Sequence, residues 1–507
     1  MYYNILQYLE RNTKLYPDKI ALEDDKRSIS YFEYENKAKI IATFLLDKIG
    51  TTRNQPIAVL IDRNILSIVA FMGVVYSGNF YVPVDASMPK ERVELIYDTL
   101  RPTLIIDARN QNEMSNDIHG IYRIEEILLH TQINEKELLN IRESAIDTDP
   151  LYAIFTSGST GIPKGVAVSH KSVIDLVEAF YDTFSFDDCV VIGNQAPFDF
   201  DVSVKDIYNA LKCGAVLEVL PKKLFKMPKL LIEYLGEKKI NTLIWAVSAL
   251  RIVADFKTLD SVDSPDLRYV MFSGEVMPVK VLNYWKKYVP KARYVNLYGP
   301  TEITCNCTYY EIKKDFENDE FLPIGKAFVN SRVMLLDEER NLIDTDNKLG
   351  EICVSGTCLA LGYWNNAEKT DEAFIQNPLI TAYGSKIYAT GDMGYYDNDG
   401  NIIFKSRKDY QIKHMGHRIE LGEIEVALNS IPFLIISCCL YDSKSEKIVC
   451  FYQSDKECKK EIVAELSKKL PKYMWPNVYI HYTDMPMNKN GKIDRVALGE
   501  QLLKIKA

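Results

Sequence analysis

No stretch of this chain stays apolar over the roughly 20 residues that a membrane-spanning helix needs, so nothing in it reads as an anchor. The start, MYYNILQYLERNTKLYPDK, lacks the basic, apolar and small-residue order of a secretory leader. Positive charge is in short supply: 61 Lys and Arg stand against 70 Asp and Glu, a formal net charge of −9. That balance offers no electrostatic footprint for nucleic acid. Histidine is rare, with six residues in 507. The ten cysteines sit in apolar, strand-like surroundings such as VSGTCLALGYW and LIISCCLYDS. Cys305 with Cys307, and Cys438 with Cys439, lack the spacing of zinc ligands. These absences predict a cytoplasmic chain with reduced thiols, no structural metal, no nucleic-acid partner and no membrane association.

What remains is an ordinary globular composition, 47% hydrophobic and 26% charged, on a chain too long for one average domain. No repeat and no low-complexity tract interrupts it. Apolar runs such as PIAVLID, PTLIIDA and NTLIWAV alternate with amphipathic stretches. In SHKSVIDLVEAFYDTF, residues Val173, Leu176, Val177 and Phe180 share one helical face. Strands alternating with helices predict an α/β fold with largely parallel, buried sheets. From about Gly350 the texture changes to short strands parted by turn signals, and a compact α+β segment closes the chain. The expected division is a large α/β domain over residues 1–408 and a smaller α+β domain over 409–507, joined by a hinge.

The most informative stretch is YAIFTSGSTGIPKGVAVSH. An apolar strand runs into Thr156, Ser157, Gly158, Ser159, Thr160 and Gly161, then Pro163, Lys164 and Gly165, and a second strand follows. Small residues let a backbone approach a polyanion, N–H groups and hydroxyls can donate to phosphate oxygens, and Lys164 adds charge. A Walker A loop is excluded, because G-x-x-x-x-G-K-[ST] is absent and a strand, not a helix, comes next.

This loop resembles the signature of the adenylate-forming superfamily. That superfamily contains the adenylation domains of nonribosomal peptide synthetases, acyl-CoA synthetases, luciferases and D-alanine–carrier protein ligases. The resemblance extends through SISYFEY, SGNFYVPVDASMPKER, NLYGPTEIT, GEICVSGTCLALGYW, YATGDMGYYDNDGNI, SRKDYQIKHMGHRIELGEIE, LPKYMWP and NKNGKIDR, in the family's order and over nearly the whole chain. One departure is Leu361, where many relatives have arginine.

The resemblance implies ATP and Mg²⁺ as nucleotide and metal, with no prosthetic group on the chain. By it, Tyr298 stacks on adenine, Thr301 contacts the α-phosphate, Glu302 holds Mg²⁺, and Asp392 with Arg407 binds the ribose. Asn296 and Gly299 line the same nucleotide site. Lys492 bridges carboxylate and phosphate during adenylation, and Asp409 is the hinge. A second conformation then carries the segment around Gly416 toward an incoming thiol. The implied reaction has two steps: a carboxylate attacks the α-phosphorus of ATP and releases pyrophosphate, and a thiolate then displaces AMP to give a thioester. Holding the two anions together and neutralising their charge is the protein's part in the first step.

In NQAPFDFDVSVKDIYNAL, Asp201 matches the family aspartate that takes a substrate α-ammonium. A carboxylate in an otherwise apolar wall is costly without a cation, which argues for an amino-acid substrate. The remaining pocket positions carry over to Val202, Lys205, Trp245, Met271, Ser273, Leu297, Cys305 and Asn306. Asp201 and Lys205 are expected on one face of a strand. A buried ammonium at Lys205 would suit a polar or acidic side chain. The acceptor is expected to be the phosphopantetheine thiol of a separate carrier protein, or coenzyme A, because no carrier or condensation motif is present. D-alanine–carrier protein ligase, acyl-CoA synthetase and a non-catalytic nucleotide-binding relative are the other readings.

Overall fold

The computed structural model describes residues 2–110, 120–158, 161–318, 320–408, 411–487 and 493–504. Two compact units emerge. One comprises Met1–Asp85, Leu100–Ile154 and Gly165–Ser406, and the other Ala86–Thr99, Phe155–Lys164 and Arg407–Ala507. The second unit therefore contains the phosphate loop and a helix from early in the chain as well as the C-terminal segment. The expected boundary residue Asp409 lies outside the described residues.

The first unit is built on two large sheets and a smaller antiparallel one. In the nine-stranded sheet, Arg293–Tyr298, Tyr269–Ser273, Thr242–Ala246, Val191–Asn194, Val216–Val219 and Ile20–Glu23 run parallel, with antiparallel strands at both edges. In the seven-stranded sheet, Pro56–Ile61 lies between Phe80–Asp85 and Leu104–Asp107, all parallel. Pro56–Ile61 and Thr242–Ala246 are buried at every residue, as helices covering both faces require. The apolar runs that read as strands are these strands.

Helix starts follow local chemistry. Ser30 and Glu33 form a reciprocal capping box for Tyr31–Ile49. Ser169 accepts from the Ser172 N–H to start His170–Phe184, whose Val173, Leu176, Val177 and Phe180 are buried. The third sheet, centred on Gly350–Gly356 and Lys386–Tyr396, is antiparallel and carries the YATGD segment.

In the second unit, a hairpin of Gln411–His414 and His417–Glu420 turns at Met415 and Gly416. A three-stranded sheet of Ile436–Asp442, Lys447–Gln453 and Val478–Tyr482 packs with helices Leu421–Asn429 and Lys459–Lys469 around a core of its own. The expected α/β portion followed by an α+β portion is what the chain forms.

Candidate functional site

In the first unit, strand Arg293–Tyr298 ends on the aromatic ring of Tyr298, and the short helix Thr301–Ile303 just beyond it carries Glu302. Tyr298 is buried, and its hydroxyl donates to Asp392 Oδ2 at 2.5 Å. Burial and the neighbouring Asp392 both push the phenol well above its usual range, so it remains a donor. Asp392 lies on Lys386–Tyr396 and its backbone N–H donates to Thr390 Oγ1 at 3.0 Å. Four residues beyond Tyr298, Glu302 is fully buried and accepts from the Tyr363 hydroxyl at 2.8 Å. Tyr363 sits in Gly362–Tyr363, paired antiparallel with the strand Lys164–Ser169. The turn itself is tight: a Cβ on Gly299 would stand 2.5 Å from the Cys305 carbonyl oxygen. Thr301 is buried at the start of the short helix Thr301–Ile303. Asn296 is buried on the same strand, with Nδ2 donating to the Pro323 carbonyl at 2.8 Å.

Of the expected substrate residues, Met271, Ser273 and Leu297 lie on strands of the same sheet, and Asp201, Val202 and Lys205 lie at a helix. Helix Val202–Cys213 begins at Asp201, so the expected strand across 201–205 is a helix. Its apolar positions Val204, Ile207, Tyr208 and Leu211 recur with helical spacing, which overrides the short alternation FDFDV. A four-residue spacing still places Lys205 over Asp201 on one helical face. Lys205 is wholly buried and Nζ donates to Ser273 Oγ at 3.0 Å. Burial lowers the affinity of this amine for its proton, while Cys305, Asp201 and Asp206 raise it. The Cys305 thiol donates to the Asp201 carbonyl at 2.8 Å, and burial pushes that thiol up. Asn306 is buried, and neither its Oδ1 nor its Nδ2 has a hydrogen-bond partner among the described residues. Met271 and Leu297 belong to the same apolar cluster as Cys305, and Val202 occupies the first turn of the helix.

Trp245 does not join them. The register pairs Trp245 with Phe272, Ala246 with Ser273 and Ile244 with Met271. Side chains alternate along a strand, so Trp245 faces away from Met271 and Ser273. It packs in the other large core cluster, with Nε1 donating to the Gly193 carbonyl at 2.8 Å. Ala246 takes the face beside Ser273.

Asp206, a residue that no motif marks, follows Lys205 on the same helix. It is fully buried, Oδ2 accepts from Asn194 Nδ2 at 2.7 Å, and Oδ1 has no hydrogen-bond partner among the described residues. Burial pushes its carboxyl up to about 7, against the pull of Asn194, Lys205 and Arg63. Tyr363 was within reach of sequence reasoning, since LALGYW was recognised as a motif, but nothing local pairs it with a residue 61 positions away.

The phosphate loop is described within the second unit. Thr156 ends strand Pro150–Thr156, and Lys164 begins Lys164–Ser169. A Cβ on Gly158 would stand 2.1 Å from the Ile162 carbonyl oxygen, so the loop closes there only with glycine. The Gly161 N–H donates to the Gly158 carbonyl at 2.9 Å. Arg407 ends strand Ile402–Arg407. Ser159, Thr160 and Lys492 lie outside the described residues.

Residues 9–364 match the AMP-binding enzyme family. Tyrocidine synthase 1 of Brevibacillus parabrevis is 32% identical over 98% of this chain, which spans 45% of that protein. The chain thus spans about half, or less, of the length of the synthases it matches. A D-alanine–D-alanyl carrier protein ligase of Listeria monocytogenes is 30% identical over 99% of both chains. Among solved structures, PA1221, a nonribosomal peptide synthetase protein containing adenylation and PCP domains, superposes with a TM-score of 0.85. That match is at 23% identity and covers 98% of this chain and 84% of the other. It shares the fold: a large α/β part followed by a smaller C-terminal part. On the family match and the near full-length identity to the Listeria ligase, this chain belongs to the AMP-binding enzymes.

Proposed function

We propose that this chain is an AMP-forming ligase that activates an amino acid with ATP and hands the aminoacyl group to the phosphopantetheine thiol of a carrier protein. The observation that carries this reading is the buried hydrogen bond between Tyr298 and Asp392, with Glu302, four residues beyond Tyr298, buried and held by Tyr363. An aromatic face for a base, a carboxylate for ribose hydroxyls and a carboxylate for a cation beside phosphates suit an adenine nucleotide. Thr301, Gly299 and Asn296 belong to that site. Thr156, Ser157, Gly158, Ser159, Thr160, Gly161 and Lys164 take the phosphates, and Arg407 adds a partner for the ribose.

Glu302 fits Mg²⁺: one fixed carboxylate oxygen beside substrate phosphates is how this ion is commonly held. Bound there, Mg²⁺ would neutralise charge developing on the phosphates. Tyr363 keeps the carboxylate from rotating. Lys492 supplies a second positive charge during adenylation, and Asp409 is the pivot for the thioester step.

Asp201 takes the α-ammonium of the substrate. Lys205 and Ser273, with Val202, Ala246, Met271, Leu297, Cys305 and Asn306, face its side chain. A buried ammonium and an amide with no partner among the described residues favour a polar or acidic side chain over an aliphatic one. The second reading, D-alanine as substrate, draws on the near full-length match to the Listeria ligase. A buried lysine in the pocket argues against it. No described helix is long and apolar enough to cross a membrane, and all ten cysteines are free thiols. Both support a cytoplasmic setting.

The test is the intact mass of a phosphopantetheinylated carrier protein after incubation with enzyme, ATP, Mg²⁺ and a panel of amino acids. A mass gain equal to one aminoacyl residue supports the reading. Acylation of coenzyme A with the carrier left unchanged makes the chain an acyl-CoA synthetase instead.

A further inference from the structure

Two cysteines of the second unit face each other across a pair of strands. Ile436–Asp442 and Lys447–Gln453 run antiparallel, and their register sets Cys439 directly opposite Cys450. Both residues are fully buried, and both are free thiols. Their side chains share a face, since Cys439 and Cys450 belong to the same core cluster as Leu421, Ile424, Ile462 and Leu466. Cys438 pairs instead with Phe451, and the two lie in a separate cluster, as the alternation of side chains along a strand requires.

Backbone hydrogen bonds fix which kind of pair this is. The Cys439 N–H donates to Glu425 Oε1 at 2.7 Å, and its carbonyl accepts from Arg495 Nη1 at 3.2 Å. Two residues earlier, the Ser437 N–H also leaves the ladder and donates to Asn429 Oδ1 at 2.8 Å. The main-chain groups of Cys439 therefore point away from Lys447–Gln453, which makes Cys439 and Cys450 a non-hydrogen-bonded pair. In such a pair the Cα atoms stand about 4.5 Å apart and the side chains approach most closely. A disulfide needs a Cα separation of about 4.4–6.8 Å and neighbouring Cβ atoms, so the strand register already supplies its geometry.

We propose that Cys439 and Cys450 form a reversible dithiol–disulfide site that small disulfides oxidise. One cysteine thiolate attacks a sulfur of the small disulfide and expels one small thiolate. The second cysteine then attacks the mixed disulfide, the S–S bond between the two strands forms, and the other small thiolate leaves. The two cysteine protons end on the two expelled thiolates, so the protein gives up two electrons and the small disulfide gains them. Burial makes this slow, because a thiolate forms reluctantly in an apolar core. Ile436–Asp442 is an edge strand, with Glu425 and Arg495 bonded to Cys439 where a neighbouring strand would lie, so opening of that edge exposes Cys439. The site does not depend on the functional reading above.

The test is incubation of the full chain with excess oxidised glutathione, followed by denaturation, alkylation of remaining thiols and peptide mass mapping. The wild type should lose two of its ten alkylatable thiols and yield one peptide pair linked through Cys439 and Cys450, which dithiothreitol separates. Lys444 and Lys447 lie between the two cysteines, so tryptic cleavage leaves the linked strands as separate peptides. Cys438→Ala should form the same linkage, whereas Cys439→Ala and Cys450→Ala should form none there. Alanine keeps each site apolar, and circular dichroism confirms that each variant is folded before oxidation. Both thiols remaining alkylatable, glutathione attached to either without a linkage, or a linkage that survives in Cys439→Ala would each overturn the proposal.

Discussion

Replacing Lys205 by methionine probes the substrate pocket most sharply. Lys205 is wholly buried with Nζ 3.0 Å from Ser273 Oγ, and burial lowers its affinity for a proton while Cys305, Asp201 and Asp206 act the other way. Methionine fills nearly the same volume without charge, so packing around helix Val202–Cys213 should survive. A charge-assisted hydrogen bond from Lys205 to a substrate carboxylate or amide contributes roughly 1.5–3 kcal/mol. Its loss lowers kcat/KM for such substrates about ten- to a hundredfold. Aliphatic amino acids make no such bond and should gain relative to them in Lys205→Met, alanine included. The assay is amino-acid-dependent pyrophosphate exchange over the same panel for both proteins. If the wild type prefers alanine and Lys205→Met leaves the ranking unchanged, Lys205 serves only to hold Ser273 and Asp206, and the inferred substrate class is wrong.

Three other outcomes follow from the proposed function and from the structure. Asp201→Ala should strongly weaken activation of the preferred amino acid but much less that of the matching acid without an amino group; a wild type that already prefers the desamino acid would contradict the role of Asp201. Lys492→Ala should slow adenylate formation by about 10²–10³-fold while thioester formation from preformed aminoacyl-adenylate suffers far less; equal losses in both steps, read by single-turnover kinetics, would refute the assignment. Asp206 makes stability depend on pH: its carboxyl titrates at about 7 folded against 3.8 unfolded, so its contribution is full below about pH 4 and is lost as pH rises through 7. Glu218, also pushed up by burial to about 7, acts in the same direction, whereas His170, held down to about 3 by burial, loses stability as pH falls below its ordinary value. Between pH 5 and 8 the wild type should therefore lose on the order of 2–3 kcal/mol relative to Asp206→Asn, seen in urea midpoints; parallel curves would exclude Asp206 as the titrating group.

Much of this molecule is legible in its residues, and the exceptions have physical causes. Pro56–Ile61 and Thr242–Ala246 read as buried parallel strands because they are almost entirely apolar, and they are buried parallel strands. Helix His170–Phe184 is legible because its apolar positions recur with a period near 3.6 and Ser169 caps it. The start of helix Val202–Cys213 misleads because FDFDV alternates over five residues, while the helical pattern shows only over the following ten. Trp245 fails by one residue: on a strand that shift moves a side chain to the opposite face, and only the register with Tyr269–Ser273 fixes which face is which. Asp201, Lys205, Ser273 and Cys305 were legible as a group through their motifs, and the structure brings them together. The bond from Tyr363 to Glu302 spans 61 positions and that from Arg92 to Glu423 spans 331. Neither pair carries a local signal, so tertiary structure alone reveals them.

The central claim is that this chain joins an amino acid to AMP at the expense of ATP. Exchange of labelled pyrophosphate into ATP measures that step alone, because label enters ATP only when an acyl-adenylate forms and reverses. With ATP and Mg²⁺ present, the account predicts exchange that depends on an added amino acid, is greatest for one with a polar or acidic side chain, and falls sharply in Asp201→Ala. Exchange with no amino acid across a full panel, in a protein that still binds ATP, would contradict it.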